Sequence, residues 1–128
     1  KPEFLERFNT MLEDLVKAGK KVYVLADTPM DGQLPLRRYY LRQKLGIDIH
    51  YVSEDKKAEI RDSAKSEDEV EKIVKQHRGV QWVDFMQYIP ADKLIDGLPV
   101  YFDTNHLNPF GSSKIAEMFI NDKRTLLK

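Results

Sequence analysis

Apolar residues recur at steps of three and four through the first part of the chain. Phe4, Leu5, Phe8, Leu12, Leu15 and Val16 share one face, Lys17 lies in the last turn and Gly19 follows as a C-terminal cap. That period predicts an amphipathic helix over residues 2–18. The pattern then changes: Val22 to Ala26 are apolar at every position, as in a strand buried on both faces of a parallel sheet, and Asp27, Thr28 and Pro29 leave it as a loop. PLRRYYLRQKL, residues 35–45, opens on a proline suited to a first helical turn and stops before Gly46, which predicts a short helix. Residues 47–52, IDIHYV, mostly alternate and predict an extended segment. Residues 53–65 are charged and weakly patterned, either a further helix or an exposed excursion.

In the second half, Ser66 and Glu69 have capping-box spacing and Val70, Ile73, Val74 and His77 form one stripe, so a helix is expected to start near Ser66. VQWVDF from Val80 reads as a strand and VYF at 100–102 as a short strand. Pro109 to Phe119 reads as a closing helix, with Asn108 as its cap and Pro109 in its first turn. Helices alternating with strands, without internal repeats or linkers, indicate an α/β layer architecture with a largely parallel sheet. Reactive groups in such sheets gather beyond the carboxyl ends of the strands.

Composition narrows the function. At 128 residues the chain has the length of one ordinary domain, and 41% apolar residues with six Phe, six Tyr and one Trp exclude a disordered polymer. Lys plus Arg and Asp plus Glu both number 21, and a net charge of zero argues against a general nucleic-acid or membrane-surface binder. Without cysteine there is neither disulfide nor thiolate chemistry. No apolar run approaches the length of about 18 residues that spans a bilayer.

The candidate chemistry lies in FDTNHLNPFGSSK, residues 102–114, where Asp103 and His106 stand three apart in the bend between the expected last strand and the closing helix. A histidine serves as general base near neutral pH when a carboxylate fixes its tautomer and stabilises the imidazolium. One rigid turn can set that pair's separation by itself, pinned to the next helix by Asn108 and Pro109. The plainer alternative is that Asp103 caps a local turn and His106 is a solvated loop residue.

LPVYFDTNHLNPFGSSKIAE resembles the last block of SGNH-family hydrolases and acyltransferases, in which Asp-x-x-His-Leu is followed by a Gly-led helix; Asp103, His106, Leu107 and Gly111 match. The resemblance is nearest to the SGNH domain fused to bacterial membrane-bound O-acyltransferases. LVKAGKKVYVLADTP and GVQWVDFMQYI are more loosely similar to the middle of those domains. The resemblance implies a flavodoxin-like three-layer sandwich with a mostly parallel sheet. It also implies a Ser-His-Asp triad to which this chain brings Asp103 and His106, a carbohydrate acceptor and an acyl donor, and no metal or dissociable cofactor. The parent is then expected in the bacterial inner membrane with this domain periplasmic or extracytoplasmic.

The departure from the family is that no Gly-Asp-Ser block is present, and Ser53, Ser63, Ser66, Ser112 and Ser113 all lack its context. Together with a first residue that is not Met, this gives the expectation that residues 1–128 are the C-terminal portion of one SGNH-like domain. Its N-terminal strands would be missing, it would be inactive alone, and it would be prone to self-association through an exposed sheet edge. The rival from another class is a noncatalytic α/β binding or interaction module.

Asp27 and Thr28, leaving a central strand, are candidates for lining the substrate pocket, against a loop-capping reading. His50 reads as solvated, His77 as a packed histidine near a helix C-terminus, and three scattered His do not make a zinc site. Arg37, Arg38, Arg42 and Lys44 with Tyr39 and Tyr40 read as a solvated helix face rather than a nucleic-acid patch, with an anionic acceptor glycan as a subtler alternative. Trp82 and Phe85 read as core.

Overall fold

The first helix, α1, spans Pro2–Lys17. Its periodic stripe is turned inward: Leu12 is fully buried and Leu5, Phe8, Leu15 and Val16 are half-buried. Phe4 is exposed and stacks on Phe8, centroids 6.2 Å apart. Gly19 ends the helix at φ +69°, a conformation glycine adopts without steric cost, and its N–H reaches the Val16 carbonyl at 2.9 Å. This computed structural model describes residues 2–30, 35–47 and 53–122.

Strand β1, Val22–Leu25, pairs in parallel with β2, Val80–Val83, in the register Val22↔Val80 to Leu25↔Val83. The Ala26 N–H extends the pairing to the Val83 carbonyl at 2.9 Å. The expectation that β1 is buried on both faces is not met: Val22, Tyr23 and Val24 are half-buried and Leu25 is 56% exposed. Among the described residues its sheet has two strands only, so β1 has neighbouring backbone on one side.

Helix α2 spans Pro35–Leu45 and helix α3 spans Glu54–Gln76. Helix α3 starts one full segment earlier than the Ser66 signal suggested. Ser53 is the cap, its hydroxyl accepting the Lys56 N–H at 3.3 Å, and Ser66 lies in the helix interior. The charged half lacks an apolar stripe but is helical nonetheless. Ion pairs three residues apart, Lys57–Glu54 at 2.7 Å and Lys56–Glu59 at 2.8 Å, bridge successive turns there. Most of IDIHYV, including His50, lies outside the described residues; Ile47 is described, exposed and not in a strand.

The described chain divides into two compact units. The first is residues 1–27 and 64–84, the second 28–63 and 85–128. In the first, Leu12, Val74 and Val83 are buried. His77, just past α3, is half-buried with Nε2 2.8 Å from Asn9 Oδ1, which agrees with the packed reading. Gly79 sits where an added Cβ would meet both Val16 methyls at 3.1 Å.

In the second unit, a single 3-10 turn, Met86–Tyr88, leads to an antiparallel hairpin of β3, Leu94–Ile95, and β4, Leu98–Pro99. Its two turn residues, Asp96 and Gly97, have φ of +52° and +74°, as the tightest hairpin turns require. Helix α4 spans Pro109–Asn121. The core is Ile95, Val100, Tyr101 and Ile115, with Phe85, Tyr88, Ile89, Leu107, Phe110 and Met118 packed around it. Phe85 therefore joins the core as expected, its ring 4.5 Å from that of Phe119, and Trp82 of β2 is half-buried.

The expected strand at 100–102 is not one. Val100 and Tyr101 are fully buried, Tyr101 forms an isolated bridge with Leu107, and Phe102 turns outward. The chain doubles back at once, so the residues available for pairing are used up in closing the bend. Helices with a crossover-connected parallel pair make this an α/β chain, but the described strands form one parallel and one antiparallel pair rather than a mostly parallel sheet.

Candidate active site

Residues 103–106 form a bend between the two bridge partners Tyr101 and Leu107. The Asp103 carboxylate organises it: Oδ1 accepts the Asn105 N–H at 3.0 Å and the His106 N–H at 2.8 Å, the pattern by which aspartate substitutes for backbone in a turn. The Phe102 N–H donates to the His106 carbonyl at 2.8 Å and closes the neck.

The imidazole folds back on the same carboxylate, with Nδ1 2.8 Å from Oδ2 and 3.0 Å from Oδ1. An ionised carboxylate only accepts, so Nδ1 carries the hydrogen and Nε2 is left with its lone pair. That is the tautomer a general base needs. Among the described residues no hydrogen bond engages Nε2, and the His106 side chain is 69% exposed against 39% for Asp103. The Asn105 N–H holds the Asp103 carboxyl below the usual aspartate range, helped by the His106 side chain and backbone, so Asp103 is ionised at neutral pH.

Asn108 holds the bend to the following helix. Its N–H donates to the Val100 carbonyl at 2.9 Å and its side-chain oxygen caps α4 by accepting the Gly111 N–H at 2.7 Å. Its amide nitrogen donates to the Pro99 carbonyl at 2.7 Å and, at 3.4 Å, to that of Tyr101. The sequence identified Asn108 as a cap, and the structure adds the two donations. Gly111 is where α4 presses on the core: a Cβ there would overlap the Val100 carbonyl oxygen and lie 2.7 Å from its Cβ. Tyr101 reaches the other way, its hydroxyl donating to the Pro29 carbonyl at 2.8 Å. Neither this bond nor the hairpin was foreseen, although Asp96-Gly97 between two apolar pairs is a recognisable hairpin signature.

Asp27 is exposed directly after β1. Its N–H bonds the Glu67 carboxylate, whose pKa is raised first by burial and then by the charges of Asp27, Asp84 and Asp68. Thr28 is half-buried and precedes the Pro29 that Tyr101 holds. The five serines lie elsewhere: Ser53 caps α3, Ser63 and Ser66 lie within it, and Ser112 and Ser113 belong to α4. Among the described residues no three His, Asp or Glu side chains are grouped to hold a metal ion. No described helix is long and apolar enough to cross a membrane.

The described fold is that of an α/β chain in which a turn holds a carboxylate on an imidazole just ahead of a capped helix. The chain belongs to the family described as SGNH domain (fused to AT3 domains), whose model matches residues 1–121. This associates the chain with acyltransferase and esterase chemistry. No curated protein and no solved structure gives a match.

Proposed function

We propose that Asp103 and His106 are the orienting acid and general base of a Ser-His-Asp acyl-transfer site that moves an acetyl group to a hydroxyl of a cell-surface polysaccharide or peptidoglycan. The serine comes from a Gly-Asp-Ser block outside these 128 residues. Its hydroxyl gives its proton to His106 Nε2 as Oγ bonds the donor's carbonyl carbon, and the imidazolium returns that proton to the leaving group. An acceptor hydroxyl, or water, then loses its proton to Nε2, attacks the acyl-serine, and the proton passes back to Oγ. Asp103 stabilises the imidazolium in both halves, and Thr28 lines the pocket. The complete domain is a three-layer sandwich, and its parent is a membrane-integral protein that displays it outside the cytoplasm.

The observation that carries this reading is the 2.8 Å contact of His106 Nδ1 with Asp103 Oδ2, which leaves Nε2 as the proton acceptor. The two backbone bonds to Asp103 Oδ1 are what a noncatalytic module would also use to shape its loop, and they sustain that second reading. Aryl-acetate turnover separates the two. The chain alone is expected to show none above buffer. A polypeptide that joins it to the Gly-Asp-Ser block is expected to turn over and to lose roughly three orders of magnitude or more in His106→Ala. A robust rate from the chain alone, lost in His106→Ala, overturns the placement of the nucleophile; an unchanged rate in the longer His106→Ala variant overturns the base.

A further inference from the structure

The neck of the 103–106 bend fixes which side chains stand beside the imidazole. Tyr101 and Leu107 form an antiparallel bridge, flanked by the Asn108 N–H on the Val100 carbonyl at 2.9 Å and the Phe102 N–H on the His106 carbonyl at 2.8 Å. In that register Phe102 stands opposite His106. Opposed residues of an antiparallel pair share a face, and the next pair along takes the other face. Tyr101 and Leu107 face the core, so Phe102 and His106 face outward together. Further from the tip α4 covers the chain, meeting Val100 at Gly111; at Phe102 and His106 the face is open.

Exposure agrees with this register. Tyr101 is fully buried, Phe102 is 63% exposed and the His106 side chain 69%. The solvated side of an antiparallel pair is ordinarily polar, and a phenylalanine there leaves a large apolar ring in water. The ring has no way inward, because Tyr101 and Leu107 fill that side. Phe85 and Tyr88 pack on Phe119, whereas no aromatic ring meets Phe102 among the described residues. Single exposed apolar residues are common on protein surfaces. This one is distinguished by standing opposite the general base, on a neck whose backbone bonds hold it there.

From this juxtaposition we infer that Phe102 is an acceptor-binding residue, its ring meeting the C–H face of the sugar whose hydroxyl gives its proton to His106 Nε2. The inference rests on the acyl-transfer reading of the site. That hydroxyl has to come within about 3 Å of Nε2. Opposed residues hold their Cβ atoms about 5 Å apart, so the ring bearing the hydroxyl extends over the neighbouring side chain of the same face. The face of an aromatic ring is electron-rich and attracts the weakly positive C–H groups of a sugar, and the contact removes apolar surface of both from water.

Water is the competing acceptor, and it gains nothing from an apolar ring. Phe102 therefore sets how the acyl-serine divides between transfer and hydrolysis. The donor's leaving group receives its proton from the same nitrogen and occupies the same place in the first half of the reaction, so acylation rates alone do not isolate the acceptor contact.

The test is a product ratio. The polypeptide that joins this chain to the Gly-Asp-Ser block is given nitrophenyl acetate as donor and chitotetraose or cellotetraose as acceptor, and acetylated sugar and free acetate are measured together. Both products come from one acetyl-serine, so their ratio is independent of the acylation rate and of the fraction of protein folded. Phe102→Ala should lower the ratio of transfer to hydrolysis roughly tenfold, since covering one face of the ring is worth about half of a full side-chain burial. Phe102→Tyr should retain the ratio, and Phe4→Ala, which removes an equally exposed ring from α1, should leave it unchanged. An unchanged ratio in Phe102→Ala overturns the inference. So does a parallel fall of transfer and hydrolysis, the mark of a ring that only supports the bend or is covered by another part of the parent. If neither sugar is acetylated while nitrophenyl acetate is hydrolysed with dependence on His106, the sugar contact is refuted and the general base stands. Turnover that survives His106→Ala refutes instead the acyl-transfer reading beneath it.

Discussion

Replacing Asn108 by alanine removes three interactions at the one point where bend, hairpin and helix meet. The lost cap on Gly111 N–H costs about 1 kcal/mol, as helix N-caps typically do. The lost amide donor leaves the carbonyls of Pro99 and Tyr101, both on buried residues, short of a partner, a further penalty of about 1–3 kcal/mol. The Asn108 N–H to Val100 survives because it is backbone. The sum is a loss of roughly 2–4 kcal/mol. With a urea slope of about 1.5 kcal/mol/M, typical of small proteins, the midpoint should fall by roughly 1.3–2.7 M. Asn108→Ser retains the capping oxygen but not the amide, and should fall between the wild type and Asn108→Ala. The assay is urea unfolding followed by far-UV circular dichroism, with the slope required to match across the three proteins. An Asn108→Ala variant within about 0.5 kcal/mol of wild type, the range of ordinary surface changes, would show that these bonds do not hold the bend.

Gly111→Ala should cost about 1–3 kcal/mol through overpacking against Val100, despite alanine's better helix propensity, and thermal melting will show it as a lowered midpoint. Asp103 is held ionised in the fold, so its contribution is complete above the ordinary aspartate pKa and fades as pH falls through its lower folded value. The stability gap between wild type and Asp103→Asn should accordingly shrink below about pH 4 in acid titrations of the unfolding midpoint. Glu67 has the opposite sign: its raised pKa makes the ionised form a burden once pH passes the unfolded value. Glu67→Gln should be more stable at pH 7 by about a few tenths of a kcal/mol, and the gain should vanish below about pH 4. The neutral His106 ring observed by nitrogen-15 NMR should show Nδ1 protonated and Nε2 bare, and the reverse tautomer would contradict the assigned role.

Where a single element carries its own signal, the sequence was sufficient. Helices α1, α2 and α4 fall where spacing, Pro35, Asn108 and Pro109 put them, because caps and periodicity are local. The Asp103 to His106 contact was equally legible, since three intervening bonds of a tight bend fix it. Features set by the environment were not. Helix α3 begins at Glu54, behind its Ser53 cap, because side-chain ion pairs substitute for a missing apolar stripe, and β1 is half-exposed although its sequence alone reads as buried. The pairing of Tyr101 with Pro29 joins residues 72 positions apart and has no local trace.

The bend at 103–106 has one further consequence. Because the acid and the imidazole belong to the same four residues, their mutual distance is insulated from movements of the rest of the chain, which can only swing the pair as one body. Damage to this device therefore takes two distinguishable forms. Changes inside the bend alter how the carboxylate holds the ring, whereas changes at Asn108 or Gly111 leave that contact intact and spoil only the direction in which the ring points.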